Sequence, residues 1–217
     1  RKNAVFPITA YAEGHFVFTA TTAGTVKQTP LSQFSRPRTS GIIAIDLRDE
    51  DKLVNVAITD GNAEILLVAS HGKAIRFSEA DVRPMGRGAA GVRGIKLPGD
   101  HEVIALTIIS EGLVLTATEN GYGKRTPLDD FPVQGRGGQG VIAIQTTDRN
   151  GRTVGAIQVS DDDEIMLISS KGTLVRTGVD DISIMGRNTQ GVRLIRVESG
   201  QRLVGLARIE SIEDDDE

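Results

Sequence analysis

The sequence predicts an all-β protein built of four-stranded antiparallel units set side by side around an axis. Three observations carry that reading: a fourfold internal repeat, glycines at fixed places in each copy, and β-branched runs with no amphipathic helical pattern between them. "FVFTATTAGTVKQTPLSQF" (Phe16–Phe34) returns as "ILLVASHGKAIRFSEADV" (Ile65–Val82). It returns again as "LVLTATENGYGKRTPLDDF" (Leu113–Phe131) and "IMLISSKGTLVRTGVDDI" (Ile165–Ile182). A turn glycine marks each copy, at Gly24, Gly72, Gly121 and Gly172. A second glycine follows at Gly41, Gly91, Gly140 and Gly191.

Each copy reads as four strands. The first two flank the turn glycine as a hairpin, because dipeptides such as Asn120-Gly121 accept the positive φ that tight hairpin turns require. A third strand follows the second glycine, over Ile42–Leu47, Val92–Leu97, Val141–Thr146 and Val192–Val197. A fourth is expected at Val54–Thr59, Val103–Ile108, Val154–Val159 and Leu203–Ile209. The repeats thus cover about 16–62, 65–110, 113–161 and 165–212, within one domain over 1–212. Ahead of them, Ala4–Thr9 reads as the closing strand of a preceding blade. Four-stranded units at this period suit a propeller-like disc. The absence of tryptophan removes the usual WD-repeat signature and weakens a kelch reading.

Composition narrows the class. Apolar residues make up 39% and charged residues 25% of 217, as in soluble globular proteins. There is no cysteine, so disulfides and thiolate metal sites are excluded, in keeping with a reducing cytosol. No apolar run approaches the roughly 20 residues of a membrane helix. The start, "RKNAVFPITAYAEG", reads as a strand entered midway rather than a signal peptide, which suggests a fragment of something longer.

Net charge is −4, but the final "EDDDE" (Glu213–Glu217) is wholly acidic. It reads as a solvated acidic tail, tethered where it would compete with a polyanion for basic surface. The rest of the chain segregates its charge by position in the repeat. Between paired glycines stand 12 basic and 6 acidic residues; elsewhere there are 13 and 23. The basic set is Lys27, Arg36, Arg38, Lys73, Arg76, Arg83, Arg87, Lys124, Arg125, Arg136, Arg176 and Arg187. Equivalent positions of a radial array lie along one edge, so a positive rim is expected. Such a rim suits a polyanion tracked through its phosphates, although arginine on strand edges also discourages aggregation.

The loop before each second glycine reads "SRPRTSG", "MGRGAAG", "QGRGGQG" and "MGRNTQG". Three share G-R-x-x-x-G. The small residues admit a close approach of another backbone, while the arginine supplies charge and a forked donor. Backbone N–H groups in such turns add anion contacts. A tight inter-strand connection needing φ > 0 explains the glycines equally well.

"QGRGGQG" resembles the box motif of the DNA gyrase A family, usually Q-R-R-G-G-K-G. Gln134, Arg136, Gly137, Gly138 and Gly140 match it, and Gly135 and Gln139 each lack a positive charge. "TATENGYGKRTPL", "TDRNGRTVGAIQVSDDDEIMLIS", "GTLVRT" and "IMGRNTQGVRLIRV" are similar to the C-terminal domain of the same family. The resemblance implies a β-pinwheel, a disc of blades that exchange a strand, here about four blades and the end of a preceding one. It implies that duplex DNA wraps around the basic rim irrespective of sequence, enabling introduction of negative supercoils. The DNA-binding residues it implies are Lys27, Arg36, Arg38, Lys73, Arg76, Arg87, Lys124, Arg125, Arg136, Arg176, Arg187 and Arg193. Gln134–Gly140 would be an imperfect, secondary copy of the box, with the full box upstream of Arg1.

The partners that the resemblance further implies are an N-terminal cleavage domain on the same polypeptide and the gyrase B subunit. It also implies ATP and Mg in the parent enzyme, and a bacterial cytoplasm. No cofactor is implied for this chain, and the cleavage tyrosine has no counterpart in it: Tyr122, in a hairpin, reads as packing. Other readings are a protein-binding propeller scaffold, the C-terminal disc of a topoisomerase IV A subunit, and an independent enzyme. The last has little support, because His15, His71 and His101 are far apart in sequence and "GYGKRT" lacks the leading glycine of a phosphate loop.

Overall fold

Four hairpins dominate the computed structural model, which describes residues 8–209. They pair β1 (Phe16–Thr21) with β2 (Thr25–Pro30), β4 (Glu64–Ala69) with β5 (Lys73–Ser78), β8 (Leu113–Thr118) with β9 (Tyr122–Pro127), and β12 (Glu164–Ser169) with β13 (Leu174–Gly178). The return strand of each repeat lies antiparallel on the first hairpin strand: β3 (Leu53–Thr59), β7 (Val103–Ile108), β11 (Thr153–Val159) and β15 (Leu203–Ile209). These return strands fall within a residue of the sequence expectation. Each of the four pairings slips register at the same place, near the hairpin turn, as at Ala20/Thr21 and Ile168/Ser169. A recurrent bulge of this kind sharpens local twist.

The expected third strands are mostly absent. Only β6 (Val92–Arg93), β10 (Val141–Ile142) and β14 (Val192–Arg193) form. Each joins the sheet of the preceding repeat, giving the orders β3-β1-β2-β6, β10-β5-β4-β7 and β11-β8-β9-β14. This is the strand exchange of a β-pinwheel. The expected run at Ile42–Leu47 has no regular structure, and Ile43 is 70% exposed. Among the described residues the fourth sheet has three strands, β13-β12-β15, with Leu174 of the edge strand 58% exposed. Of the expected Ala4–Thr9 strand, residues 4–7 lie outside the described residues and 8–9 are not in a strand; the acidic tail Glu213–Glu217 also lies outside them.

The chain divides into two compact units, Arg1–Ile109 with Phe131–Val141, and Ser110–Asp130 with Ile142–Glu217. In the first, Phe18, Ala20 and Val26 of one sheet meet Ile65, Leu67, Ile75 and Phe77 of the next in one buried cluster. In the second, Leu115 and Ala117 meet Ile165, Leu167, Val179 and Leu203. β4 is buried from Ile65 to Ala69 without alternation, so both of its faces are covered.

Candidate nucleic-acid interface

The corners before Gly91, Gly140 and Gly191 are each held by the repeat before. Met85 N–H donates to the Gln28 carbonyl at 2.8 Å, Gln134 to Arg76 at 2.8 Å, and Met185 to Arg125 at 2.9 Å. The glycines that end these corners have φ of +94° (Gly91), +74° (Gly140) and +76° (Gly191). A Cβ there would come closer than 3.0 Å to the carbonyl oxygens of Val26, Ala74 and Gly123 respectively. So the bare backbone at these positions serves both a left-handed turn and the approach of another strand, and that strand belongs to the chain itself. Gly88 and Gly135, by contrast, face open space.

The corner arginines obey a single rule. Arg87 Nη1 donates to the Ile43 carbonyl at 3.1 Å, Arg136 Nη1 to that of Arg93 at 3.0 Å, and Arg187 Nη1 to that of Ile142 at 2.9 Å. Each acceptor sits two residues past the second glycine of the preceding repeat. Arg136 adds a bond from Nε to the Asp81 carbonyl at 2.9 Å. A guanidinium has five N–H donors, so these bonds aim the group and leave donors for an anion. Around Arg136, the Gly137 N–H donates to Gly94 at 2.6 Å and the Gly138 carbonyl accepts from Lys96 at 2.8 Å. Gln134, Gly135, Arg136, Gly138 and Gln139 are exposed.

Other cations of the expected set point inward. Lys27 is 1% and Lys124 0% exposed. Lys27 Nζ donates to the carbonyls of Ala44, at 3.1 Å, and Arg87. Lys124 Nζ donates to the carbonyls of Gly186 and Arg187, both at 2.6 Å, and to Thr189 Oγ1 at 2.9 Å. Burial, then the nearby Arg187 charge, pushes the Lys124 pKa down to about 8. Burial likewise lowers that of Lys27, against the pull of Asp46. Both lysines donate to the chain's own carbonyls, and each ties down a corner. The signal was present in the sequence: the position three past the turn glycine is Lys27, Ile75, Lys124 and Val175, and alternation with apolar residues marks an inward side chain.

The next position also departs from expectation, because its arginines already have acidic partners. Arg76 pairs with Glu64, Arg125 with Asp161 at 2.5 Å, and Arg176 with Glu164. Arg125 is further enclosed by the Ile182 carbonyl, 2.6 Å from Nε. In the first repeat the position is Gln28, bonded to buried Glu79 at 2.9 Å. Counting charges cannot reveal these pairs: the hairpin register brings Arg76 opposite Leu66, beside Glu64, and Arg125 meets Asp161 36 residues further on.

Of the sequence-predicted cations outside these pairs, Arg36, Arg38, Arg83, Arg136 and Arg193 are exposed, and Lys73, Arg87 and Arg187 are half-buried. Arg193 lies on Tyr122, its Nη2 2.8 Å from the phenol oxygen, so Tyr122 is more than packing. The histidines also depart from expectation. His71 and His101 lie with ring centroids 5.2 Å apart and their planes tilted by 40°, and burial holds the His71 pKa down to about 4. His101 Nδ1 lies 2.9 Å from Ser70 Oγ, which accepts the Glu102 N–H at 3.0 Å, a pattern that closes a turn. Among the described residues no group of three or more acidic or histidine side chains is placed to hold a metal, and no helix is long and apolar enough to cross a membrane.

Hairpin sheets that exchange an outer strand, with an arginine aimed at each exchange corner, define a β-pinwheel. The chain belongs to the DNA gyrase C-terminal domain family of β-propellers, whose repeat model matches residues 15–60, 63–110, 112–160 and 163–210. It is 54% identical to the DNA gyrase A protein of Salmonella typhimurium, over 100% of this chain and 25% of that one. The DNA gyrase A protein of Pseudomonas aeruginosa is 55% identical over 94% of this chain and 22% of its own length. The chain thus spans about a quarter of these relatives. Among solved structures, a DNA gyrase A C-terminal domain superposes with a TM-score of 0.83 at 26% identity, covering 95% of this chain and 70% of its own. The C-terminal domain of a DNA topoisomerase IV gives 0.88 at 28% identity, covering 94% and 65%.

Proposed function

We propose that the chain binds duplex DNA without regard to sequence and wraps it along the corner arginines, as the wrapping part of a DNA gyrase A protein. The observation that carries this reading is the repeated aim of Arg87, Arg136 and Arg187, each anchored by Nη1 at an equivalent carbonyl. Equivalent anchors aim an equivalent charge in the same way within each of these repeats, as a repeating polyanion requires. The DNA-contacting set is then Arg36, Arg38, Lys73, Arg87, Arg136, Arg187 and Arg193, with Lys27 and Lys124 as internal supports. In the parent enzyme the wrap presents DNA to the cleavage domain of the gyrase A protein. ATP and Mg act elsewhere, with the B subunit, and the assembly works in the bacterial cytoplasm on the nucleoid. Identities of about half with gyrase A proteins favour this over a topoisomerase IV disc.

The test is the salt dependence of binding to two duplexes of unrelated sequence. The slope of log K against log salt is about −0.9 per neutralised phosphate, so six contacts give about −5. Equal affinities for the two duplexes with that slope support the reading; a slope near zero overturns it.

A further inference from the structure

Tyr122 opens β9 one residue past the turn glycine, where the other repeats carry Thr25, Lys73 and Thr173. The register of β14 on β9 sets Arg193 directly opposite it. Arg193 Nη2 donates to the phenol oxygen at 2.8 Å, and Arg149 Nε donates to the same oxygen at 3.3 Å. The two guanidinium carbons lie 5.2 and 5.0 Å from the ring centre. The arginines lie across the ring, which leaves Tyr122 4% exposed while Arg149 and Arg193 are themselves exposed.

Two like charges are thus gathered on one neutral atom. Among the described residues, neither guanidinium has a carboxylate within ion-pair distance. Arg149 is not free to drift away, because its loop is tied on both sides. Asn120 Nδ2 donates to the carbonyls of Asp148 and Arg149, both at 3.2 Å. The wholly buried Asn150 accepts the Thr147 N–H at 2.7 Å and donates to the Gln145 carbonyl at 2.6 Å. Each arginine has one N–H on the phenol, so most of its donors remain available.

We infer that Arg149, Arg193 and Tyr122 form a binding site for a single phosphate of the DNA backbone, with the phenol as the post that holds both guanidinium groups. Paired guanidinium forks suit phosphate oxygens, and the ligand supplies the negative charge that the protein leaves out. The inference rests on the DNA-wrapping reading and adds to it one residue, Arg149, that lies outside the basic corners, and a role for Tyr122. The arginine hydrogen bonds, from Arg149 first and then Arg193, hold the phenol below its ordinary ionisation range. An anion that neutralises the arginines therefore raises its ionisation midpoint.

Two measurements on the full chain test the site. In the first, inorganic phosphate is titrated into Tyr11→Phe protein, where Tyr122 is the remaining tyrosine, and tyrosinate absorbance is followed against pH. The site predicts a rise in the midpoint with phosphate that Arg193→Gln abolishes. An unchanged midpoint overturns it. The second is the DNA salt slope of Arg149→Gln, Arg193→Gln and the double variant. One shared phosphate predicts that the double variant flattens the slope by about 0.9, no more than one phosphate's worth. A loss of about 1.8 means two separate contacts and overturns the shared site, as does an unchanged slope. If the unaltered chain binds no DNA, the wrapping reading fails, and the phosphate titration alone then decides whether the anion site exists.

Discussion

Lys124 Nζ lies 2.6 Å from the carbonyl oxygen of Arg187, so one cation holds in place the backbone of another. Lys27 does the same for Arg87. Replacing Lys124 by Met keeps the stem and removes the charged donor, so that the Gly186 and Arg187 carbonyls keep only their bonds from the Thr189 hydroxyl and N–H, both at 3.0 Å. The expected cost is about 1–3 kcal/mol in urea unfolding.

The same lysine gives a pH signature. Its folded pKa, about 8, lies below the ordinary 10.5, so between those values the unfolded chain binds a proton that the folded chain does not. Stability from this group therefore rises with pH through that window, the charged form having been penalised below it. The stability of the unaltered protein relative to Lys124→Met should increase between pH 8 and 10. A difference that is flat or falling would contradict the burial account.

Gly140 and Gly135 form an internal contrast within one loop. Gly140→Ala forces a Cβ onto the Ala74 carbonyl at φ +74° and should cost about 3 kcal/mol or more. Gly135→Ala meets nothing within 4 Å and should stay within about 0.5 kcal/mol. Thermal unfolding of the two variants separates a backbone requirement from mere loop composition.

The open space at Gly135 also allows a gain. Gly135→Arg restores a charge that the family's usual box carries there, without steric cost. It should tighten DNA binding and steepen the salt slope by up to about 0.9, as measured by fluorescence anisotropy.

Arg136 and Arg176 were indistinguishable as charges in the sequence but differ in partners. Arg136→Ala should weaken binding to all duplexes alike and flatten the slope by about 0.9. Arg176 is paired with Glu164, so Arg176→Ala should leave the slope unchanged and alter stability by less than about 1 kcal/mol.

These contrasts show where the sequence was legible. Hairpins and return strands could be placed because the period, turn glycines and β-branched runs are local signals. The exchange of β6, β10 and β14 into preceding sheets is a long-range pairing, so the repeat pattern alone placed each in its own blade and made it too long. Arg87, Arg136 and Arg187 were visible through their shared G-R corner. The inward turn of Lys27 and Lys124, and the pairing of Arg76, Arg125 and Arg176, depend on register and on the neighbouring sheet. Arg149 was missed because it stands outside the glycine-bounded segments, and only folding brings it to Tyr122.

The central claim is that the chain wraps DNA rather than merely adhering to it. A closed circular plasmid relaxed by a type I topoisomerase with increasing amounts of the bound chain tests this directly. The account predicts a linking-number change of one sign that grows with the amount bound and shrinks for Arg87, Arg136 and Arg187 variants. Full binding with no change in linking number would contradict it.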